Sequence, residues 1–91
     1  GTTATTLHHI RGRVPGVNFR WSCREMAGQL DLSGWIRNRR DGSVVVVAEG
    51  TEASLADFMT WCGHGPPHAH VTDVEEHAEP PRNEVGFDIR H

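Results

Sequence analysis

The chain has 91 residues, 36% hydrophobic and 23% charged, which is enough for one folded domain but too short for a second domain or a separate cofactor domain. Nine basic against twelve acidic residues give a net charge of -3, which argues against general nucleic-acid binding, since that usually requires a basic surface. No stretch approaches the roughly 18 consecutive apolar residues of a membrane span and no signal-peptide pattern is present, so we expect a cytoplasmic protein without membrane partners.

The first part of the chain predicts a strand followed by a helix. Residues 1–5 show no apolar periodicity, so we expect a disordered leader or expression remnant there, with residues 6–91 forming the domain. Apolar and polar residues alternate over residues 6–14, which predicts the first strand. A helix over residues 19–30 is predicted by apolar residues at helical spacing: Phe19, Cys23, Met26, Ala27 and Leu30.

Two strands joined by a tight turn are expected next. Residues 34–38 form the shorter strand. Asp41 and Gly42 predict a hairpin turn, because such a turn requires positive φ angles that this pair readily adopts. Residues 43–49 contain four consecutive valines, and so uniform a β-branched run is typical of a strand buried on both faces.

The second part of the chain predicts another helix and two more strands. Thr51 is a candidate N-cap, and Gly63 lies where the helix should end. The apolar stripe of this helix comprises Leu55, Phe58, Met59 and Cys62. Residues 71–77 and 85–89 then alternate in the manner of strands.

The predicted order of elements is β-α-β-β-α-β with an added terminal strand, which is the split βαβ order of the ferredoxin-like class. Each predicted helix has one apolar stripe, so both helices can pack on the same face of a sheet. We therefore expect an α+β, ferredoxin-like sandwich in which an antiparallel sheet of four or five strands carries two helices on one face. Because this architecture supports many functions, function has to be inferred from individual residues.

Residues 10–20 lead from the first predicted strand through a turn into the first helix and place Arg20 at the junction. The start of a helix has N–H groups without partners inside the helix, and the helix dipole adds partial positive charge there. An arginine adds a planar set of donors that matches phosphate oxygens. This segment is therefore a candidate site for a phosphoryl group.

Several motifs are similar to those of the acylphosphatase family. Residues 12–20 read GRVPGVNFR, against GRVQGVXFR in the family, and residues 34–38 read GWIRN, against GWVXN. The hairpin that follows, with residues 45–50, and the later residues 65–71 also fit the family's pattern. The chain thus resembles a small acylphosphatase over about residues 7–91.

The resemblance implies a hydrolase that cleaves the carboxyl–phosphate bond of acyl phosphates to a carboxylate and inorganic phosphate, without a metal or other cofactor. Arg20 corresponds to the family's phosphate-binding arginine, and Asn38 to the asparagine that positions the attacking water. The rest of the phosphate-binding loop corresponds to Val14, Pro15, Gly16, Val17, Asn18 and Phe19. A monomer whose partner is the small-molecule substrate is implied, with phosphate or sulfate able to occupy the loop.

The chemistry of these residue types is consistent with such roles. Phosphoryl transfer needs mainly positioning and charge stabilisation, and an acyl phosphate has a good leaving group, so no metal is obligatory. The amide of Asn38 can orient a water but cannot take its proton. Neither motif contains histidine, aspartate or glutamate, so we hypothesise that a phosphate oxygen of the substrate accepts the proton. Pro15 replaces the family's glutamine and has no N–H, and we expect the amides from Gly16 to Arg20 to suffice.

The alternative is a non-catalytic or weakly catalytic module of the same fold that binds phosphate or carbamoyl phosphate as part of a larger maturation protein. The enzyme is favoured because Asn38 is present and because the sequence ends after the last predicted strand without a zinc-binding segment. An RNA-binding domain of this class is disfavoured by the negative net charge and by the absence of an aromatic sheet-surface motif.

Two further groups of residues have the chemistry of ligands or cross-links. Cys23 and Cys62 lie inside the predicted helices and are expected to be reduced core thiols, while a pairing between adjacent helices stays open. His64, His68 and His70 resemble a metal-binding cluster. No cysteine or carboxylate stands at a recognised zinc spacing near them, so we expect no metal site.

Overall fold

The computed structural model describes residues 3–13, 16–64, 70–80 and 86–90 of the chain, and only the backbone of residues 13, 16–18, 64 and 70. In chain order the elements are β1 (Thr3–Arg13), α1 (Gly16–Gln29), β2 (Ser33–Asn38), β3 (Val44–Thr51), α2 (Glu52–His64), β4 (His70–Glu79) and β5 (Phe87–Arg90). The five strands form one sheet in the order β4-β1-β3-β2-β5. The predicted α+β, ferredoxin-like arrangement is confirmed.

β3 is the central strand, with β1 on one side and β2 on the other, both antiparallel to it. Its valines are buried whichever face they point to: Val44 (0%), Val45 (6%), Val46 (0%) and Val47 (0%). This confirms the prediction of a strand buried on both faces. A central strand has neighbours on both edges, which explains why an uninterrupted β-branched run is tolerated here.

The prediction of a wholly antiparallel sheet is wrong for β5, which pairs in parallel with β2. β4 ends with Glu79 beside Thr5, at the end of the sheet where β2 begins. β5 starts with Phe87 beside Gly34 at that same end. Because the chain returns to the sheet at the end where it left, β5 has to run in the direction of β2.

The starts of β1 and α1 both lie three residues before the predicted ones. β1 begins at Thr3, which pairs with Thr51 of β3, so residues 3–5 belong to the sheet and not to a disordered leader. Threonine has a high preference for strands, and backbone pairing at the end of a strand does not require an apolar pattern. α1 begins at Gly16, three residues before the predicted start at Phe19.

Both helices pack on the same face of the sheet, α1 against β2 and β5, and α2 against β1, β3 and β4. The buried core comprises Ile10, Phe19, Cys23, Ala27, Leu32, Ile36, Val44, Val46, Ala48, Leu55, Phe58 and Cys62. Cys23 and Cys62 are free and buried, as predicted. Burial raises the pKa of the Cys23 thiol well above its ordinary value, and its hydrogen bond with Cys62 raises it further. Thiols in such surroundings are unreactive at neutral pH.

Local signals fix the ends of the helices. Thr51 is the N-cap of α2, as predicted, since its Oγ1 accepts a hydrogen bond of 3.2 Å from the N–H of Ser54. α1 ends at Gln29 and is followed by Asp31 with a φ of 60°.

Within the described ranges, no helix has the length and hydropathy needed to cross a membrane.

Candidate active site

β1 and β2 run in the same direction on either side of β3, and they end at the same end of the sheet. The register shows this directly, because Ile10 of β1 and Asn38 of β2 both pair with Val44 of β3. β1 continues only to Arg13, and α1 begins at Gly16. The start of α1 and the last residue of β2 therefore lie at one end of the sheet.

Asn38 also shares the face of the sheet on which the helices pack. Side chains alternate between faces along a strand, and Ile36, two residues before Asn38, is fully buried in the core beneath the helices. Asn38 itself is exposed. The register and the alternation thus place it at the rim of the covered face, on the side where α1 packs against β2.

The first turn of α1 supplies backbone donors at this end of the sheet. It consists of Gly16, Val17, Asn18 and Phe19, the residues predicted to form most of the phosphate-binding loop. The first four N–H groups of a helix have no acceptor within the helix. The side chain of Phe19 is fully buried against Trp61, so only its backbone N–H is available to an anion. Val14 and Pro15, also predicted for this loop, lie outside the described residues.

Arg20 follows directly in α1 and is buried, with 9% of its surface exposed, whereas the next residue, Trp21, is 59% exposed. The arginine therefore points inward from the helix while its neighbour faces solvent. Its position one turn into the helix places a permanent positive charge close to the partial positive charge of the helix N-terminus. Both effects favour an anion at the start of α1.

Asn38 lines a surface depression of about 630 Å³ together with Arg37, Arg39, Arg40 and Asp41. None of these three arginines was predicted to belong to the site. Three arginines in four residues directly around Asn38 were the signal for this basic surface. The structure shows that all of them border the same space as Asn38.

His9, Ser43 and Asp41 form a hydrogen-bonded chain that has the residue types of a nucleophilic triad. Ser43 Oγ donates to Asp41 Oδ1 over 2.5 Å, and Ser43 Oγ is 2.8 Å from His9 Nε2. The serine has a single proton, which is given to Asp41, so His9 has to act as donor to Ser43. A nucleophilic serine would instead donate to the histidine. The chain is therefore a structural link between the hairpin turn and β1.

His8 is fully buried and faces the helices from β1. Its ring contacts Phe58 edge to face at 5.5 Å, and its Nε2 shares a hydrogen bond of 2.8 Å with Thr6 Oγ1. Burial lowers the pKa of His8 from 6.5 to about 4. His8 is thus neutral at physiological pH. It lies two residues before Ile10 on β1, further from the Asn38 end of the sheet than the paired residues Ile10, Val44 and Asn38.

The described residues contain no group of three or more histidine, cysteine, aspartate or glutamate side chains placed to hold a metal ion. The side chains of His64, His68 and His70 lie outside the described residues. The expectation that these three histidines form no metal site therefore stays a prediction.

Comparison with known proteins finds relatives that match nearly the whole chain. The acylphosphatase family model matches residues 7–89. An acylphosphatase of Rubrobacter xylanophilus is 46% identical over 83 residues, which are 90% of this chain and 76% of the relative. An acylphosphatase of Pseudomonas aeruginosa is 46% identical over 85 residues, 92% of this chain and 93% of the relative. The structure of an acylphosphatase from Coxiella burnetii superposes with a TM-score of 0.93 at 33% identity, covering 97% of this chain and 93% of that one. This chain therefore belongs to the acylphosphatase family, and it hydrolyses the carboxyl–phosphate bond of acyl phosphates.

Proposed function

We propose that the N–H groups of the first turn of α1 and the guanidinium of Arg20 bind the phosphoryl group of the substrate, and that Asn38 positions the attacking water. One observation supports this assignment above all: Asn38 and the start of α1 lie at the same end and on the same face of the sheet. A phosphoryl group held at the helix N-terminus would therefore have the Asn38 amide beside it.

The proposed reaction is a direct displacement at phosphorus. The water oxygen forms a bond to phosphorus while the bond from phosphorus to the acyl oxygen breaks, and the electron pair of that bond leaves with the carboxylate. The loose transition state spreads negative charge over the phosphoryl oxygens. Fixed N–H donors and one guanidinium stabilise this charge without having to reorient during the reaction.

The proton of the water goes to a phosphoryl oxygen of the substrate in this scheme. Asn38 can accept a hydrogen bond from the water through its amide oxygen, but it takes no proton. Asp41 is the described carboxylate beside Asn38, and hydrogen bonds from Ser43 hold its pKa below the usual range. Asp41 is therefore a weak base, and one of its oxygens, Oδ1, already accepts two hydrogen bonds from Ser43.

The scheme contains no metal ion, because the carboxylate is already a good leaving group. It also needs no second subunit, since the first turn of α1, Arg20 and Asn38 all come from one chain. We accordingly propose a monomeric, cytoplasmic, metal-independent hydrolase. Inorganic phosphate, and sulfate as its analogue, should bind as competitive inhibitors at the start of α1.

Hydrolysis of benzoyl phosphate by Arg20→Ala and Asn38→Ala, with and without a chelator, tests the assignment. We expect Arg20→Ala to lower kcat/KM by about 10³-fold or more, because it removes a charge that stabilises the transition state. Asn38→Ala should lower kcat/KM by about 10²-fold to 10³-fold. The chelator should leave the wild-type rate unchanged.

Arg24→Ala is the matched control, since Arg24 lies on the same helix but is exposed. Its rate should stay within about twofold of wild type, because exposed side chains away from a site contribute little. Circular dichroism and urea unfolding establish that each variant is folded. Wild-type rates in both Arg20→Ala and Asn38→Ala would rule out the proposed site, whereas tight phosphate binding without turnover by wild type would favour the binding module. Chelator-sensitive turnover would direct attention to the histidines between 64 and 70.

A further inference from the structure

The depression beside Asn38 lies on the side of the phosphorus atom from which water attacks. In a direct displacement, the attacking oxygen and the leaving acyl oxygen lie on opposite sides of phosphorus. Asn38, which is proposed to position the water, lines the depression, while the phosphoryl group is assigned to the start of α1. The acyl group therefore extends away from the depression, and no part of the substrate has to fill it. Its volume of about 630 Å³ nevertheless falls in the range of small-molecule sites.

The depression carries positive charge in a chain whose net charge is negative. Three exposed arginines line it, Arg37, Arg39 and Arg40, together with the single carboxylate of Asp41. Among the described residues, none of these three arginines has a carboxylate within ion-pair distance. Guanidinium groups gathered around one concave surface are suited to an anion with more than one negative charge.

Asp41 is held by its neighbour Ser43 and does not form an ion pair with the arginines. Its Oδ1 accepts hydrogen bonds from the Ser43 N–H at 2.9 Å and from the Ser43 hydroxyl at 2.5 Å. These hydrogen bonds are the main cause of the low pKa of Asp41, and the charge of Arg39 makes a smaller contribution. The side chains of the arginines thus keep donors available for a bound ligand.

The turn that carries Arg39 and Arg40 is fixed by hydrogen bonds at both ends. The Arg39 N–H donates to the Ser43 carbonyl over 2.8 Å, and the Gly42 N–H donates to the Arg39 carbonyl over 3.1 Å, with Gly42 at a φ of 88°. His9 of β1 anchors Ser43 from the neighbouring strand. A fixed backbone lowers the entropy lost when the side chains close on a ligand.

We propose that Arg37, Arg39 and Arg40 form an inhibitory site for a small multivalent anion, a polycarboxylate or a polyphosphate, which fills the depression and displaces the water positioned by Asn38. This inference rests on the proposed function, because it takes the position of the water from Asn38 and that of the phosphoryl group from the start of α1. The three arginines take no part in the transfer of the phosphoryl group.

An anion in the depression acts on Asn38 in two ways. Its oxygens accept a hydrogen bond from the Asn38 amide NH₂, and its bulk occupies the space beside that amide where the water has to enter. Neither effect removes the acyl phosphate from the start of α1. Inhibition therefore persists at saturating acyl phosphate as a fall in kcat, whereas an anion bound at the start of α1 competes with the substrate and raises only KM.

Hydrolysis of benzoyl phosphate in the presence of tricarballylate or pyrophosphate tests the proposal, at constant ionic strength and with a chelator present throughout. For wild type, we expect at least one of these anions to lower kcat, and the two distinguish a carboxylate ligand from a phosphate ligand. Each rate of the Arg39→Gln/Arg40→Gln double variant is compared with the uninhibited rate of the same variant. Its inhibition constant should be about tenfold higher than that of wild type, because charged donors are lost.

Two controls separate a local site from general electrostatic attraction. The Arg11→Gln/Arg24→Gln double variant removes the same charge from exposed positions outside the depression, and its inhibition constant should equal that of wild type. Competitive inhibition by inorganic phosphate at the start of α1 should be equally strong in Arg39→Gln/Arg40→Gln and in wild type. An unchanged kcat with both anions, an inhibition constant unaffected in Arg39→Gln/Arg40→Gln, or an equal rise in either control would each overturn the site.

Calorimetric titration of Arg20→Ala with tricarballylate and pyrophosphate separates this failure from failure of the proposed function. The anion that lowers kcat should bind this variant as tightly as wild type, because the depression does not include Arg20. Loss of hydrolysis in Arg20→Ala and Asn38→Ala, together with no binding of either anion, would overturn the inhibitory site alone. Unchanged hydrolysis in both variants would overturn the proposed active site and, with it, inhibition through Asn38.

Discussion

The two ends of the sheet differ in how closely their residues are packed. The first, here called the Asn38 end, comprises the start of α1, Asn38, Arg39 and Arg40. The second, the Gly34 end, comprises Asp31, Gly34, Gly50 and Thr51. Asn38, Arg39 and Arg40 are exposed and border an open depression. At Gly34, in contrast, an added methyl group would collide with the backbone of Val47, and at Gly50 it would meet the end of the Leu32 side chain. The Gly34 end borders a smaller depression, of about 310 Å³, which is lined by Asp31 and Glu49 and not by arginines. The two ends therefore differ in the size and charge of their depressions and in the close backbone packing at Gly34.

The largest effect on stability is expected at Gly34. This residue has a φ of 141°, and a Cβ atom there would lie 1.8 Å from the carbonyl oxygen of Val47. We expect Gly34→Ala to lower the free energy of unfolding by about 4 kcal/mol, because the strained φ adds to the cost of separating β2 from β3. Urea unfolding measures the loss.

Gly28→Ala is the matched control, because it makes the same change on α1 where no atom lies within 4 Å of the added methyl. We expect it to raise stability by about 0.5 kcal/mol, since alanine is the better helix former. Activity per folded molecule should be unchanged in both variants. A Gly34→Ala protein as stable as wild type would contradict the contrast between the two ends.

The next effect concerns the layer between the two ends, where His8 is buried. Its pKa of about 4 in the folded state lies below the 6.5 of an ordinary histidine, so the unfolded chain binds this proton more readily. The contribution of His8 to the free energy of unfolding is fully present above pH 6.5 and is lost as the pH falls to 4. We expect a loss of about 3 kcal/mol across that window, measured by urea unfolding at several pH values.

His8→Leu should remove most of this dependence, because leucine cannot take up a proton. His77→Leu is the control for the substitution itself, since the side chain of His77 is 61% exposed. The acid sensitivity from the lowered pKa of Asp41 is present in both variants and cancels in the comparison. Equal pH dependence in wild type and His8→Leu would show that another group is responsible.

Much of the fold followed from local signals in the sequence. The valine run predicted a strand buried on both faces, and Thr51 predicted the start of α2, because in both cases neighbouring residues decide the outcome. The start of α1 was placed too late, since Pro15 and Gly16 are equally typical of a turn. The parallel pairing of β5 depends on where β4 ends, which alternation within a strand does not reveal.

The candidate site was predictable in its residues but not in its extent. Arg20 and Asn38 came from two motifs, and the register of β1, β3 and β2 shows that the elements carrying them meet at one end. Arg39 and Arg40 belonged to no motif. Their clustering next to Asn38 is visible in the sequence, but the depression that they share with Asn38 appears only once the hairpin has folded. The shape of such a depression depends on tertiary structure.

The smallest effect is expected at Asp31, at the Gly34 end, where α1 passes into β2. Asp31 has a φ of 60°, its N–H donates to the Gly28 carbonyl over 3.2 Å, and the Leu32 N–H donates to the Ala27 carbonyl over 2.8 Å. This is the Schellman arrangement, whose left-handed position favours glycine. We therefore expect Asp31→Gly to raise the free energy of unfolding by about 0.5–1 kcal/mol, measured by urea unfolding.

Asp57→Gly makes the same change at an exposed position inside α2 and separates the backbone effect from loss of the carboxylate. It should lower stability by about 0.3 kcal/mol, because glycine is a poorer helix former than aspartate. Opposite signs for the two substitutions would show that the left-handed conformation of Asp31 is strained. A loss of stability in both Asp31→Gly and Asp57→Gly would mean that the Asp31 side chain stabilises the protein by more than its left-handed backbone conformation costs. The Gly34 end would then be held by side-chain contacts as well as by close backbone packing.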